Sequence, residues 1–240
     1  MIKIYEVKIT LFLKTDIEYK NIHEKLASNV NKALFEDDKL KNIHMDKQYK
    51  PYVIGNLYPF DPKSKIYKSN QIYILTIRSV DKEFLSLLTR CLKFSNKLDF
   101  NVIASEFNEV RINYIESVFT LTPALISITD ENNKIKNWVN SDGSLDFVKK
   151  RIKGNLEKKY FQLFGEKITA PDDFINMIEI QNKVPIVFDY KNSKFFTNKF
   201  KIVFNNDELS QKLAFLAFGV GLLEKNSLGF GFLQRIKSGS

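Results

Sequence analysis

The sequence is poor in the residues that staple small proteins or hold metals. It has one cysteine, Cys91, which excludes an internal disulfide. Its two histidines, His23 and His44, leave no set of three or four soft ligands for a structural zinc. Cys91 falls in an amphipathic segment, where a packed thiol is expected rather than a nucleophile. No cofactor or metal is implied. No apolar run reaches the roughly 18–20 residues that cross a bilayer, because Lys, Asn or Asp interrupts every candidate. Nine Gly and six Pro in 240 residues exclude collagen-like and low-complexity chains. Arginine is also scarce, five of 37 basic residues.

What is present is a core and a positive charge. Apolar residues make up 44% and aromatics 13%, enough to fold as one large domain or two of about 100–150 residues. The net charge of +9 favours a polyanionic partner through counterion release, with nucleic acid the natural candidate. Abundant Lys, Asn and Ile also fit simple nucleotide bias. Residues 1–120 carry 19 Lys/Arg against 15 Asp/Glu, and 121–240 carry 18 against 13, which suits a groove between halves better than a basic tail. The start, Met1 to Val7, alternates like a strand and lacks the apolar run of a signal peptide, so a cytoplasmic protein is expected. Ser238-Gly239-Ser240 reads as an added linker.

Periodicity divides the chain into two similar halves. Residues 2–13 alternate, and Tyr19–Leu34 has helical spacing at Ile22, Leu26, Val30, Ala33 and Leu34. A polar stretch, 36–50, follows. Residues 52–60 and 71–79 read as strands joined by a turn containing Lys63, Lys65 and Lys68. Then come a helix over 80–94, with Phe84, Leu87, Leu88, Cys91 and Leu92 on one stripe, and a short strand over 98–102. The second half gives a β-rich segment over 110–128 broken by Pro123, a basic helix over 145–164, strands over 174–190 and 194–204, a helix over 207–218 and a strand over 230–236. Each half is ordered βαββαβ. The expectation is an α+β protein of two tandem ferredoxin-like domains, 1–112 and 113–240, with a C-terminal glycine-rich loop.

That loop, Gly219-Val220-Gly221-Leu222-Leu223-Glu224-Lys225-Asn226-Ser227-Leu228-Gly229-Phe230-Gly231, holds four of the nine glycines. Its amides could receive a phosphate, with Lys225, Asn226 and Ser227 adding charge and hydrogen bonds. It leaves a helix and enters a strand, the reverse of a dinucleotide-binding turn or P-loop, and lacks the G-K-[ST] ending. Taken alone, the glycines could equally cap the helix and allow a tight turn.

Gly-Val-Gly, then Glu-Lys-Asn-Ser-Leu-Gly-Phe-Gly, after tandem ferredoxin-like patterns in a basic chain, resembles the RAMP superfamily. Within it the chain resembles the CRISPR repeat-processing endoribonucleases. The resemblance implies metal-independent cleavage of the repeat in a precursor transcript, giving guide RNAs, with the glycine-rich loop positioning RNA beside an inter-domain cleft. Such cleavage needs a base for the 2′-hydroxyl, an acid for the departing 5′-oxygen and a cation for the phosphorane, and leaves a 2′,3′-cyclic phosphate and a 5′-hydroxyl.

By the same resemblance His44, in Asn42-Ile43-His44-Met45-Asp46-Lys47-Gln48-Tyr49-Lys50, matches the catalytic histidine as acid or base. Lys50 matches the cation, with Lys47 the alternative. The chain departs from members that add a tyrosine on the first helix, offering Ser28, Asn29 and Asn31 there. Tyr49, Tyr52 and His23 are left as candidates for the second proton transfer, although His23 also reads as a surface or helix-start residue.

For RNA binding the candidates are Gly219, Gly221, Lys225, Asn226, Ser227, Gly229 and Gly231 of the loop, and Lys149, Lys150, Arg151 and Lys153 of the basic helix. That helix also carries Lys158 and Lys159. Phe195, Phe196 and Phe200 read as a stacking platform or as buried strand residues. The expected partner is CRISPR repeat RNA, with effector-complex proteins as further candidates and a monomer or homodimer as the assembly. The alternatives are a non-catalytic RAMP-type subunit holding guide RNA, and a basic structural protein whose glycines serve only the fold.

Overall fold

The computed structural model describes residues 2–236; Met1 and residues 237–240, the last three being Ser238-Gly239-Ser240, lie outside the described residues. Alternation in β1 (Tyr5–Leu13) buries Val7, Ile9, Leu11 and Leu13 on one face. Next come β2 (Ile17–Glu18), a single 3-10 turn and α1 (Ile22–Leu34), whose apolar stripe is buried as its spacing demands. Then follow α2 (Asp38–Met45), β3 (Tyr52–Tyr58), β4 (Ile66–Tyr67), β5 (Ile72–Ser79), α3 (Lys82–Phe94) and β6 (Phe100–Glu109). The main strands form an antiparallel sheet in the order β3-β5-β1-β6, whose buried face shares one apolar core with α1 and α3.

The second half contains β7 (Ser117–Thr120), the hairpin of β8 (Ser127–Thr129) and β9 (Ile135–Asn137), and α4 (Leu145–Phe164). After these come β10 (Ile175–Ile180), the hairpin of β11 (Ile186–Tyr190) and β12 (Ser193–Thr197), β13 (Phe200–Phe204), α5 (Glu208–Val220) and β14 (Leu233–Arg235). Its sheet is ordered β10-β13-β7-β14. Both sheets therefore place second strand, third, first, fourth, the arrangement of two ferredoxin-like units. Side-chain caps set the helix starts: Asp81, Ser144 and Asp207 each accept a backbone N–H from the first turn, an interaction worth about 1 kcal/mol.

Several sequence expectations need correction. The polar stretch 36–50 contains α2, capped by Asp37 and burying only Leu40, too little apolar surface to show a period. The strand expected at 98–102 runs to Glu109 because β1 pairs along its whole length, while its outer residues stay exposed. The long strands expected over 174–190 and 194–204 each divide in two, and the inner pieces form the β11–β12 hairpin. The last strand covers three residues, 233–235, rather than 230–236.

The two halves interlock. Leu125, Phe188 and Phe230 join the first core, and Ile4 joins the second. Arg78 is buried between the rings of Phe218 and Phe232, at 3.9 and 4.3 Å, pairs with Glu6 at 2.7 Å and donates to the Leu233 carbonyl at 2.6 Å. With its partners supplied by both sheets, this guanidinium fixes their relative placement.

Candidate functional site

The site is built from three segments: the end of α2 with the chain leading into β3, the face of α4, and the loop after α5. Lys50 curls back onto the C-terminus of α2, where its Nζ donates to the Ile43 carbonyl at 2.7 Å and to the Asp46 carbonyl. A cation is favoured at that end of a helix. His44, on the last turn of α2, lies edge-on to Phe35 with ring centroids 5.2 Å apart. Partial burial, then the nearby Lys50 charge, hold its pKa below the ordinary histidine value. Burial also lowers Lys50, opposed by Asp46.

Helix α4 ties this segment down. Gln162 accepts from the Tyr49 amide at 2.8 Å and donates to the Tyr49 carbonyl at 2.7 Å, while Asn155 donates to the Tyr49 hydroxyl at 3.4 Å. The same helix fixes the glycine-rich loop. Lys159, fully buried, donates to the carbonyls of Gly221 and Leu223, both at 2.8 Å, and to Asn226 Oδ1 at 2.7 Å. Burial brings its pKa down to about 7, against Glu224, which favours the ammonium. The three oxygens also favour the charged form. Asn226 Nδ2 donates in turn to the carbonyls of Leu222 and Phe230 at 2.9 and 2.8 Å, closing the loop on itself.

Two glycines are required by close approach. At Gly231, φ +72°, an added Cβ would lie 2.1 Å from the Leu222 carbonyl oxygen; at Gly229, φ +99°, it would lie 2.5 Å from His23 Nδ1. His23 is fully buried between Phe188 and Phe230, with ring centroids at 4.3 and 4.2 Å. Burial pushes its pKa down to about 3, slightly offset by the Leu228 backbone, and neither ring nitrogen has a partner in ordinary hydrogen-bond geometry among the described residues.

A cleft of about 300 Å³ opens between Gln48, Tyr49 and Lys50 on one wall and residues 224–228 on the other. It adjoins a second, of about 170 Å³, through shared Tyr49 and Glu224, with Lys150, Arg151, Gly154, Asn155 and Lys158 on the α4 side. Of the sequence-predicted residues, the fold thus gathers Lys50, Lys225, Asn226 and Ser227 at the first cleft, and Lys150 and Arg151 at the second. His44 does not line either cleft but is coupled to Lys50.

The remaining predicted residues stand elsewhere. Gly219 lies inside α5, buried against Val80 and Ile4, because an added Cβ would come within 2.8 Å of Val80; it is a packing glycine and not part of the loop. Gly221, Gly229 and Gly231 are buried, so they shape the loop from within. Arg151 spends its guanidinium on Glu224 at 2.9 Å and the Ser127 carbonyl at 3.0 Å. Lys153 pairs with Asp172 at 2.7 Å. Lys149 is half-buried and Lys47 exposed, and neither lines these clefts. His23, expected near the surface, is internal. Tyr52 is buried too, its hydroxyl beside Ser227, and burial raises its pKa despite Ser227. Phe200 is a core residue; Phe195 stacks on Tyr190; Phe196 stays 41% exposed.

Gln162 and Gly154 escaped the sequence reading, and Lys159, read there as part of the basic RNA-facing helix, is instead buried. Lys159 had a visible signal: it continues the buried stripe Val148, Ile152, Asn155, Leu156 of α4, where a lysine must find internal partners. Gln162 had none.

With this geometry in place, comparison with known proteins is specific. Residues 107–235 match the family profile described as CRISPR associated protein Cas6, C-terminal. "CRISPR-associated endoribonuclease Cas6 2" of Methanocaldococcus jannaschii is 23% identical over 243 residues, covering 96% of this chain and 99% of that protein. A solved structure described as "CRISPR associated protein Cas6" superposes with TM-score 0.74 at 21% identity, covering 98% of this chain and 100% of the other. Another, described as "An RAMP protein binding different RNA substrates", gives 0.76 at 18%, covering 97% and 100%.

Proposed function

The chain belongs to the family of CRISPR associated protein Cas6, and from that premise we propose that it is an endoribonuclease that cuts CRISPR repeat RNA without a metal ion. The observation that carries this reading is the cleft where Lys50, coupled to His44, faces Lys225 and Ser227 of the glycine-rich loop.

In the proposed reaction the scissile phosphate sits against Lys50 and Lys225. The strand passes over the end of α2, where His44, outside the cleft lining but beside Lys50 and neutral near pH 7 because its pKa is lowered, removes the 2′-hydroxyl proton. The 2′-oxygen bonds to phosphorus, the P–O5′ bond breaks, and the products are a 2′,3′-cyclic phosphate and a 5′-hydroxyl. The cations stabilise the extra negative charge of the phosphorane. The departing O5′ takes a proton, and of the three candidates for that transfer only Tyr49 lines the cleft. The division into domains 1–112 and 113–240 belongs to the same proposal, with the cleft walled from both.

The alternative, a non-catalytic RAMP-type subunit that holds guide RNA, draws on one observation: the Lys50 ammonium already donates to two carbonyls of its own helix end. End-labelled repeat RNA in excess EDTA distinguishes the readings. A single cut that persists in EDTA, leaves a cyclic phosphate and disappears when the cut-site nucleotide is 2′-deoxy supports the nuclease. Binding without a cut supports the subunit.

A further inference from the structure

Gly154 occupies the middle of the 20-residue helix α4, where glycine is unfavourable relative to alanine. Packing does not explain it: an added Cβ would meet nothing within 4 Å. The open space above it is the second cleft. Lys150 and Lys158, one helical turn to either side on the same face, are exposed on its lining and close no ion pair within 4 Å among the described residues. Asp172, whose carboxylate feels Lys150, is already paired with Lys153. Glu224, the carboxylate on the opposite wall, is paired with Arg151 at 2.9 Å.

We propose that Gly154 is a notch in α4 that seats an RNA phosphodiester against the helix backbone, bracketed by Lys150 and Lys158. Eight residues place the two lysines about 12 Å apart along the axis, so they grip the strand before and after the notch. The absence of a side chain lets the backbone of the nucleic acid approach, and phosphate contact makes the grip independent of sequence. Through Tyr49 and Glu224 the seat is continuous with the proposed cleavage cleft, so it would hold nucleotides flanking the cut. This inference rests on the RNA-binding part of the proposed function.

The test is fluorescence anisotropy with repeat RNA carrying a 2′-deoxy nucleotide at the cut site, over a salt series, using wild type, Gly154→Ala, Gly154→Leu, Lys150→Ala and Lys158→Ala. Gly154→Ala should raise Tm by about 2–4 °C, since it only improves helix propensity. Gly154→Leu should fold as well as wild type yet bind about tenfold more weakly. Each lysine variant should reduce the slope of log K against log salt by about 1. Wild-type affinity in Gly154→Leu would overturn the seat, as would unchanged salt slopes in both lysine variants. If wild type binds no RNA, the proposed function falls and the seat with it.

Discussion

Replacing Lys159 by methionine probes the link between α4 and the glycine-rich loop. The substitution keeps an unbranched side chain but leaves the carbonyls of Gly221 and Leu223 and Asn226 Oδ1 without their shared donor. An orphaned buried acceptor costs about 1–3 kcal/mol, and relief of the buried ammonium's desolvation returns part of the sum. The net expectation is a loss of about 3 kcal/mol, or roughly 6–12 °C in Tm for a chain of this size. The pH dependence carries a sign. Lys159 titrates near 7 in the folded state, below the ordinary lysine value of about 10.4, so between these values the unfolded chain holds the extra proton. Wild-type stability relative to Lys159→Met should therefore rise from pH 7 towards 10, and the contribution is lost as pH falls through 7. Urea unfolding of both proteins at pH 6, 7.5 and 9 reads both quantities. Stability of the variant within about 0.5 kcal/mol of wild type at every pH would refute the reasoning.

Two further outcomes follow from the same geometry. Gly229→Ala forces a Cβ to 2.5 Å from His23 Nδ1 at a φ that disfavours side chains, and should cost about 1–3 kcal/mol; His23→Ala, by making room, should recover part of that loss in the double variant, as unfolding curves for the four-protein cycle would show, whereas strictly additive losses would dismiss the contact. The acid limb of kcat/KM should lie below pH 6.5 because His44 is lowered, and Lys50→Met should move it upward by removing the neighbouring charge; an unmoved or descending limb would break the coupling.

The parts of the fold that were legible in the sequence are those with a strong local signal. Helix α4 is observed at its expected bounds, 145–164, and both ends carry a local signal, since Ser144 caps its start and Gly165, in the left-handed conformation, ends it. Helix α2 was not legible, since one buried leucine gives no period, and β6 was cut short because its outer residues face solvent and its length is set by pairing with β1. The site divides in the same way. The segment around His44 and Lys50 and the stretch Lys225–Ser227 carried motifs, and the fold brings Lys50 opposite that stretch. Burial, which no motif records, reassigned Gly219 to packing and His23 and Lys159 to the interior, and the hold of Gln162 on Tyr49 spans 113 residues of chain. A long-range contact of that kind has no local trace.

The most direct test of the central claim compares wild type with His44→Ala on one repeat RNA, measuring equilibrium binding to the 2′-deoxy form and single-turnover cleavage of the all-ribose form in EDTA. Because His44 lines neither cleft and its proposed role is the proton transfer, binding should stay within about twofold while the cleavage rate falls by about 10²–10⁴. Cleavage at the wild-type rate by His44→Ala would contradict the account.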